Sequence, residues 1–124
     1  HPGRLPDYRG SCAVEHAILE NQPVANTVHL MSEGIDEGPV LEVRDIDLTG
    51  VAIYPELRVA TYKQGFVLLG CCVGALQAGK RTRDDFIEQG AGNWHGPVDD
   101  MAMSDVEARV ADGRYLPLHA ASAA

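Results

Sequence analysis

Residues 27–40 read Thr-Val-His-Leu-Met-Ser-Glu-Gly-Ile-Asp-Glu-Gly-Pro-Val, and this stretch decides the fold. Apolar side chains alternate with other side chains over residues 26–31, which is the period of a half-buried strand. The acidic, glycine-punctuated residues 32–39 predict a loop. A second strand is expected over residues 40–48. The stretch therefore predicts two strands joined by a loop that carries Asp36.

Helices are expected on both sides of these strands. A short helix over residues 12–20 has Ser11 as its candidate N-cap, and a long helix begins at Pro55 and ends before Gly79. An apolar stripe at helical spacing runs along the long helix and must pack against another element; it comprises Tyr62, Phe66, Leu69, Val73 and Leu76. Glycines weaken this helix, and some of them are expected to allow close approach to a sheet: Gly65, Gly70 and Gly74. Residues 88–100 predict a loop and residues 104–112 a final helix.

Strands between helices predict an α/β domain, but two strands are too few for a small parallel sheet with covered faces and edges. We therefore expect the back half of an α/β domain whose front half is missing. Residues 1–50 hold a loop, the short helix and the strands, residues 51–80 the packing helix, and residues 81–124 a loop and a short helix. The chain begins at His1 without an initiating Met, so we expect that it was processed or cut from a longer protein.

The composition is that of a soluble globular protein. The 124 residues fit one domain, and 45% of them are hydrophobic and 23% charged. Ten Lys and Arg against 18 Asp and Glu give a net charge of -8, which argues against a nucleic-acid clamp. The sequence has no run of about 18 apolar residues, so we expect no membrane span.

The cysteines are Cys12, Cys71 and Cys72, a set that matches neither a disulfide framework nor a C-x-x-C metal motif. Adjacent cysteines rarely bridge each other without strain. We interpret them as small buried thiols in a reducing compartment. With no signal peptide expected, this predicts a cytoplasmic location.

Three residues are candidates for chemistry: His1, His29 and Asp36. Active sites of α/β sheets collect at the carboxyl ends of strands, where a His beside a carboxylate can act as a general acid–base pair or stabilise an oxyanion. His29 can equally be a hydrogen-bonded strand residue, and Asp36 a turn residue beside glycine. The three could also form a His/His/carboxylate metal site, although the short spacing typical of such sites is absent.

Residues 1–10, His-Pro-Gly-Arg-Leu-Pro-Asp-Tyr-Arg-Gly, resemble the His-Pro-x-x-Leu-Pro-x-Tyr-Arg-Gly segment of the folate-dependent formyltransferases. Residues 27–40 resemble that family's Thr-x-His-x-x-Asp-Glu-Gly-x-Asp-x-Gly-Pro strand and loop, with Ser32 where the family has Asp. Both motifs occur in the family's order. The resemblance implies the back half of a Rossmann-like formyltransferase domain that starts at the catalytic His.

The resemblance also implies transfer of a formyl group from 10-formyltetrahydrofolate to a primary amine, with His1 and Asp36 as the catalytic pair. A protonated imidazole stabilises the tetrahedral oxyanion, and a nearby carboxylate favours that imidazolium and takes the amine proton. His29 is expected to support the loop after its strand. That loop is expected to bind the folate cofactor, with no metal, through Met31, Ser32, Glu33, Gly34 and Ile35.

The acceptor amine is one of three kinds: methionyl-tRNA, glycinamide ribonucleotide or an amino sugar attached to a nucleotide. The charge of -8 disfavours tRNA and favours a small-molecule or nucleotide-linked amine. The expected partner is the missing N-terminal half of the same domain, without which the chain is expected to be inactive. Two alternatives stay open: a non-catalytic split or degenerate half that acts as an interaction module, and a metal-dependent hydrolase.

Overall fold

The computed structural model describes the backbone of residues 1–123 and the side chains of residues 1–120. It confirms a mixed α/β fold. The strands are β1 (Arg9–Gly10), β2 (Ala25–His29), β3 (Val40–Asp45) and β4 (Trp94–His95), and the helices are α1 (Ala13–Leu19), α2 (Tyr54–Gln77), α3 (Asp100–Ala111) and α4 (Pro117–Ala123). The strands form two small sheets, in which β1 pairs with β4 in parallel and β2 with β3 antiparallel, and a 3-10 turn at Arg83–Asp85 lies between α2 and β4.

Both predicted strands are present, but each ends earlier than the sequence pattern suggests. The first ends at His29 and the second at Asp45. Beyond Asp45, the Ile46 N–H still donates to the Val24 carbonyl at 2.9 Å, and the side chains of Ile46 and Leu48 are buried in the core. The two strands pair antiparallel across the intervening loop.

Three of the four α-helices were predicted, and their starts differ from the prediction. Cys12, with a left-handed backbone, stands at the N-cap of α1 and makes no side-chain cap, so the prediction of Ser11 as the cap is wrong. The final predicted helix begins four residues earlier than expected, at Asp100, because the Asp99 side chain accepts a hydrogen bond from the Ala102 N–H. Sequence patterns predicted neither β4, inside the expected loop, nor α4.

Most of the buried side chains form one cluster, here called the major core. It joins α1, α3, the start of α2 and the segment after β3. A much smaller cluster, the minor core, consists of Leu41, Leu68 and Cys72 between β3 and α2. The candidate site described below rests on the major core, because Tyr8 and α1 belong to it.

The α2 helix is confirmed, but the prediction of its buried face is wrong. Its buried residues are Leu57, Thr61, Leu68 and Cys72. The predicted stripe instead faces outward in this chain, with Phe66 72% exposed, and only Leu76 of that stripe packs against the minor core. We call the exposed large hydrophobic side chains the outer face of α2; they are Val59, Tyr62, Phe66, Val67, Leu69 and Val73.

One glycine of α2 has the role predicted for it. A Cβ atom on Gly65 would lie 3.1–3.2 Å from side-chain atoms of Asn26, so this residue lets α2 approach β2 closely. Asn26 then donates a buried hydrogen bond to the Thr61 carbonyl across the same contact, at 2.9 Å. Gly70 and Gly74 have nothing within 4 Å of such a Cβ atom.

By length and composition alone, α2 is apolar enough to cross a membrane. No membrane span was expected because the chain has no uninterrupted run of about 18 apolar residues; α2 has no such run either and meets the criterion only as an average over the helix. The same criterion is met by core helices of soluble proteins, and α2 packs on β2, β3 and α3.

The cysteines are all free; Cys72 is buried as predicted, Cys12 is half-buried, and Cys71 is exposed, contrary to the prediction.

Candidate active site

His1 is fixed against β2 by its backbone. The backbone amino group of His1 donates to the Thr27 carbonyl, and the Thr27 N–H donates to the His1 carbonyl, both at 2.9 Å. The Thr27 hydroxyl, fully buried, donates to the Gly3 carbonyl at 2.6 Å and accepts from the Leu5 N–H. Gly3 has no room for a side chain, since a Cβ atom would lie 2.8 Å from His1 Nε2. The Pro/Gly segment therefore holds the imidazole of His1 at the end of β2.

Asp36 lies in the loop between β2 and β3, with its backbone in the left-handed region at a φ of 56°. Aspartate adopts this conformation more readily than most residues, yet it still costs energy. One carboxylate oxygen, Oδ2, accepts a hydrogen bond from the Gly10 N–H at 2.8 Å. The other, Oδ1, lies 3.5 Å from His1 Nδ1 and 4.0 Å from His29 Nε2. The structure thus brings together the three candidate residues singled out in the sequence.

The two histidine rings are both held by backbone carbonyls. His1 Nε2 lies 2.7 Å from the Tyr8 carbonyl and His29 Nδ1 lies 2.8 Å from the Leu30 carbonyl. A carbonyl only accepts, so each of these nitrogens carries the hydrogen. The other nitrogen of each ring faces the Asp36 carboxylate. Oxygen acceptors at both nitrogens suit the doubly protonated imidazolium, the form that can stabilise an oxyanion.

The predicted cofactor loop lines an open pocket of about 450 Å³ beside these side chains. The pocket wall is formed by His1, His29, Asp36 and the loop residues Met31, Ser32, Glu33, Gly34 and Ile35. The side chains of Met31 and Ile35 are 94% and 67% exposed. Exposed apolar side chains beside a few polar groups form the kind of wall that a flat aromatic ligand can contact.

A second cavity, of about 230 Å³, lies on the other side of the two histidines, between β2 and α2. His1 and His29 line it together with residues of the α2 face, among them Tyr62 and Phe66. The histidines therefore separate the pocket at the loop from an apolar groove at the helix. Groups bound in the two cavities would meet at the imidazole of His1.

Gln89 is a residue that the sequence patterns did not single out. Its amide nitrogen donates to the Asp36 carbonyl at 2.9 Å and to the Gly38 carbonyl at 2.6 Å. Its amide oxygen accepts from the Arg9 guanidinium. These bonds pin both ends of the turn that carries Asp36, but they come from a residue 53 positions away in the chain. No local sequence signal reports such a contact.

Among the described residues, the three side chains whose ligand atoms lie close enough together to share a metal ion are a different set, namely His16, Glu20 and His95. The three candidate residues His1, His29 and Asp36 are instead arranged as a carboxylate between two imidazoles. Such an arrangement can orient an imidazolium, stabilise a negative oxygen and accept a proton.

The curated proteins that the chain matches are methionyl-tRNA formyltransferases. It is 35% identical over 66 residues to the enzyme from Granulibacter bethesdensis, an alignment that covers 52% of this chain and 21% of that protein. The resemblance to the formyltransferases is confirmed. No protein-family model matches the chain.

Solved formyltransferase structures share the fold. A 4-N formyltransferase from Francisella tularensis matches 90% of this chain and 50% of its own, with a TM-score of 0.65 and 19% identity. A formyltransferase from Anoxybacillus kamchatkensis, solved with UDP-4,6-dideoxy-4-formamido-L-AltNAc and tetrahydrofolate, matches 77% of this chain and 50% of its own, with a TM-score of 0.58 and 24% identity. The chain thus has a partial formyltransferase fold, and it spans about a quarter of the length of the curated relatives it matches.

Proposed function

We propose that His1 and Asp36 catalyse transfer of a formyl group from 10-formyltetrahydrofolate to a primary amine, within a domain longer than this chain. The observation that supports this most strongly is the position of Asp36. One of its carboxylate oxygens lies 3.5 Å from His1 Nδ1 and 4.0 Å from His29 Nε2, while the Gly10 N–H holds the other.

The reaction begins when the amine nitrogen attacks the formyl carbon. A carbon–nitrogen bond forms, and the carbonyl oxygen becomes the oxyanion of a tetrahedral intermediate, which the His1 imidazolium stabilises. Asp36 takes the proton that the amine loses. Collapse of the intermediate breaks the bond between the formyl carbon and the folate nitrogen, and the folate nitrogen regains a proton as tetrahydrofolate leaves.

The folate donor is proposed to bind in the pocket formed by the loop after β2. Met31 and Ile35 offer apolar contacts to a flat ring, and the backbone of Ser32, Glu33 and Gly34 offers hydrogen-bonding groups to its edge. The Ser32 hydroxyl donates to the Gly34 carbonyl at 3.3 Å, so serine supports the turn without adding a charge. His29 carries the loop from the end of β2.

We further propose that an N-terminal part of the same domain covers the outer face of α2 and the edge of β2. Six large apolar side chains are exposed on that face, an unusual number for one helix of a soluble protein. The backbone of His1 already pairs with Thr27 on the edge of β2 that does not face β3. The chain matches only half of the solved formyltransferase chains, which leaves ample sequence for such a cover.

The acceptor is proposed to be an amine on a nucleotide-linked sugar. The net charge of -8 is unfavourable for binding a polyanion such as tRNA, whereas a sugar nucleotide brings far less negative charge. The Anoxybacillus formyltransferase was solved with a formamido sugar linked to UDP. Methionyl-tRNA is the competing acceptor, because the matched curated relatives are named for it. A cytoplasmic location without membrane contact stays a prediction.

The test is formyl transfer by the protein expressed from its complete reading frame, with 10-formyltetrahydrofolate and both classes of acceptor. Asp36→Asn is nearly isosteric and is expected to lower the rate by about 10²–10⁴-fold, because the carboxylate charge is lost. Asp84→Asn, an exposed carboxylate on the 3-10 turn, is the matched control and is expected to keep the wild-type rate.

Circular dichroism of both variants establishes that the fold is retained. A normal rate for Asp36→Asn contradicts the proposed mechanism. A wild-type protein that transfers no formyl group to either acceptor contradicts catalysis and favours a non-catalytic interaction module. Transfer to methionyl-tRNA alone keeps the catalytic pair and overturns the proposed acceptor.

A further inference from the structure

Apart from the candidate active site, a second cluster of ligating side chains joins α1 to β4. It consists of His16, Glu20 and His95, each of which offers one ligand atom within 4.8 Å of the others. His95 Nε2 lies 3.7 Å from Glu20 Oε2, and the rings of His16 and His95 are 4.7 Å apart. We propose that this cluster binds a divalent transition-metal ion of the zinc type.

His95 is the first argument for a bound ion. Its Nε2 lies 3.7 Å from Glu20 Oε2, so this nitrogen faces the carboxylate. The ring is positioned by packing, stacked on Tyr8 at 4.9 Å and against His16. A neutral imidazole nitrogen donates its lone pair to a metal ion, so His95 can share an ion with Glu20 through Nε2.

His16 is the second argument. Its Nε2 lies 2.8 Å from the Gly96 carbonyl. Since a carbonyl only accepts, Nε2 carries the hydrogen and Nδ1 presents a lone pair. Histidines that bind metals commonly donate their other N–H to a backbone carbonyl in this way, which fixes the tautomer and the ring orientation.

The surroundings favour a cation. The cleft beside the cluster is lined by Asp7 and Glu20, and no Lys or Arg is among its described lining residues. Two histidines and one carboxylate, with the remaining positions filled by water, suit zinc, cobalt or nickel.

A metal ion here would brace the structure near the candidate active site without taking part in it. It would tie α1 to β4, and β4 pairs with β1. Within β1, the Gly10 N–H holds the Asp36 carboxylate. Metal binding and formyl transfer are therefore separable, because none of the three ligands lies in the candidate active site.

The single tryptophan of the chain, Trp94, precedes His95 and gives a direct readout. The full chain is freed of metal with a chelator and titrated with Co²⁺, a paramagnetic ion expected to quench Trp94 fluorescence at a ratio of one ion per chain. Zinc chloride is then expected to displace the cobalt and restore the fluorescence. His95→Gln and His16→Gln are expected to weaken Co²⁺ binding at least about tenfold, as the loss of a metal ligand does.

Two kinds of control keep the test decisive. His1→Gln and His29→Gln remove the other histidine pair and are expected to leave quenching unchanged, as is His119→Gln at an exposed position. A histidine variant could fail to fold, so Glu20→Gln is included as a second ligand variant. Its side chain is half-exposed, and the substitution is expected to weaken Co²⁺ binding without disturbing the core. No saturable quenching, quenching that survives both His95→Gln and Glu20→Gln, or quenching abolished by His1→Gln overturns the proposed site.

Discussion

The two sides of α2 differ in what they contact. Leu57 and Thr61, near the start of the helix, are fully buried: Leu57 lies in the major core and Thr61 accepts the hydrogen bond of Asn26. One turn further on, the outer face presents Phe66 and Val67 to solvent, at 72% and 63% exposure. The same helix is thus a packed core element on one side and an uncovered apolar surface on the other.

This difference separates a packed region of the chain from an uncovered one. The major core fixes Tyr8 and α1, and through them the positions of His1 and Asp36. The outer face borders the apolar groove on the far side of His1 and lacks a cover within the described residues. The candidate site therefore rests on the packed region and adjoins the uncovered one.

The largest effect is expected from a pair of substitutions on α2. Leu57→Ala empties a fully buried position and is expected to lower the free energy of unfolding of the chain by about 2–5 kcal/mol. Phe66→Ala removes a larger side chain from the outer face and is expected to change that free energy by no more than about 0.5 kcal/mol. Urea unfolding followed by circular dichroism measures both. Equal losses would show that the two faces do not differ as described.

Alkaline pH tests the same contrast through the tyrosines. Burial, followed by nearby Glu20, raises the pKa of Tyr8 to about 12, and burial also raises the pKa values of Tyr54 and Tyr115. The native state then holds protons that the unfolded state releases near the ordinary pKa of 10. Stability is expected to be fully present below pH 10 and to fall as the pH rises toward 12.

Unfolding curves at a series of alkaline pH values check this prediction. Tyr115→Phe, which removes a fully buried phenol, is expected to reduce the pH dependence. A pH dependence that Tyr115→Phe leaves unchanged would contradict the assignment of the buried phenols to the major core.

The smallest effect concerns the glycines of α2. Gly74→Ala meets open space and is expected to stabilise the chain by about 0.5–1 kcal/mol, because alanine loses less conformational freedom in a helix. Gly65→Ala pushes on the buried Asn26 side chain and its hydrogen bond to the Thr61 carbonyl, so the sign reverses. Thermal unfolding of both variants measures the difference. Stabilisation by both would mean that α2 and β2 are not in close contact at this point.

Local sequence patterns were enough to predict β2, the acidic loop and α2, because alternation, glycine spacing and a proline at the first turn are local signals. They also led to His1, His29 and Asp36, through two motifs of matching order. Patterns failed where a distant residue decides the outcome, since the position of the Asp36 loop depends on Gln89. The helix start at Asp100 is a different case, because the Asp99 cap is a local signal that the apolar pattern passed over.

The orientation of α2 was beyond local reasoning for a different reason. Apolar residues occupy both of its faces, so periodicity selected the stripe that includes Phe66 although this chain packs the face that includes Leu57 and Leu68. The helix carries more apolar surface than the described residues of this chain bury, so one of its two apolar stripes stays exposed.

The most direct test of the central claim is the rate of formyl transfer from 10-formyltetrahydrofolate by the 124-residue chain alone, beside the protein from the complete reading frame. With His1 and Asp36 brought together but the outer face of α2 uncovered, the chain alone is predicted to show no turnover, and the protein from the complete reading frame is predicted to transfer the formyl group to an amine. Clear formyl transfer by the purified 124-residue chain would contradict this account.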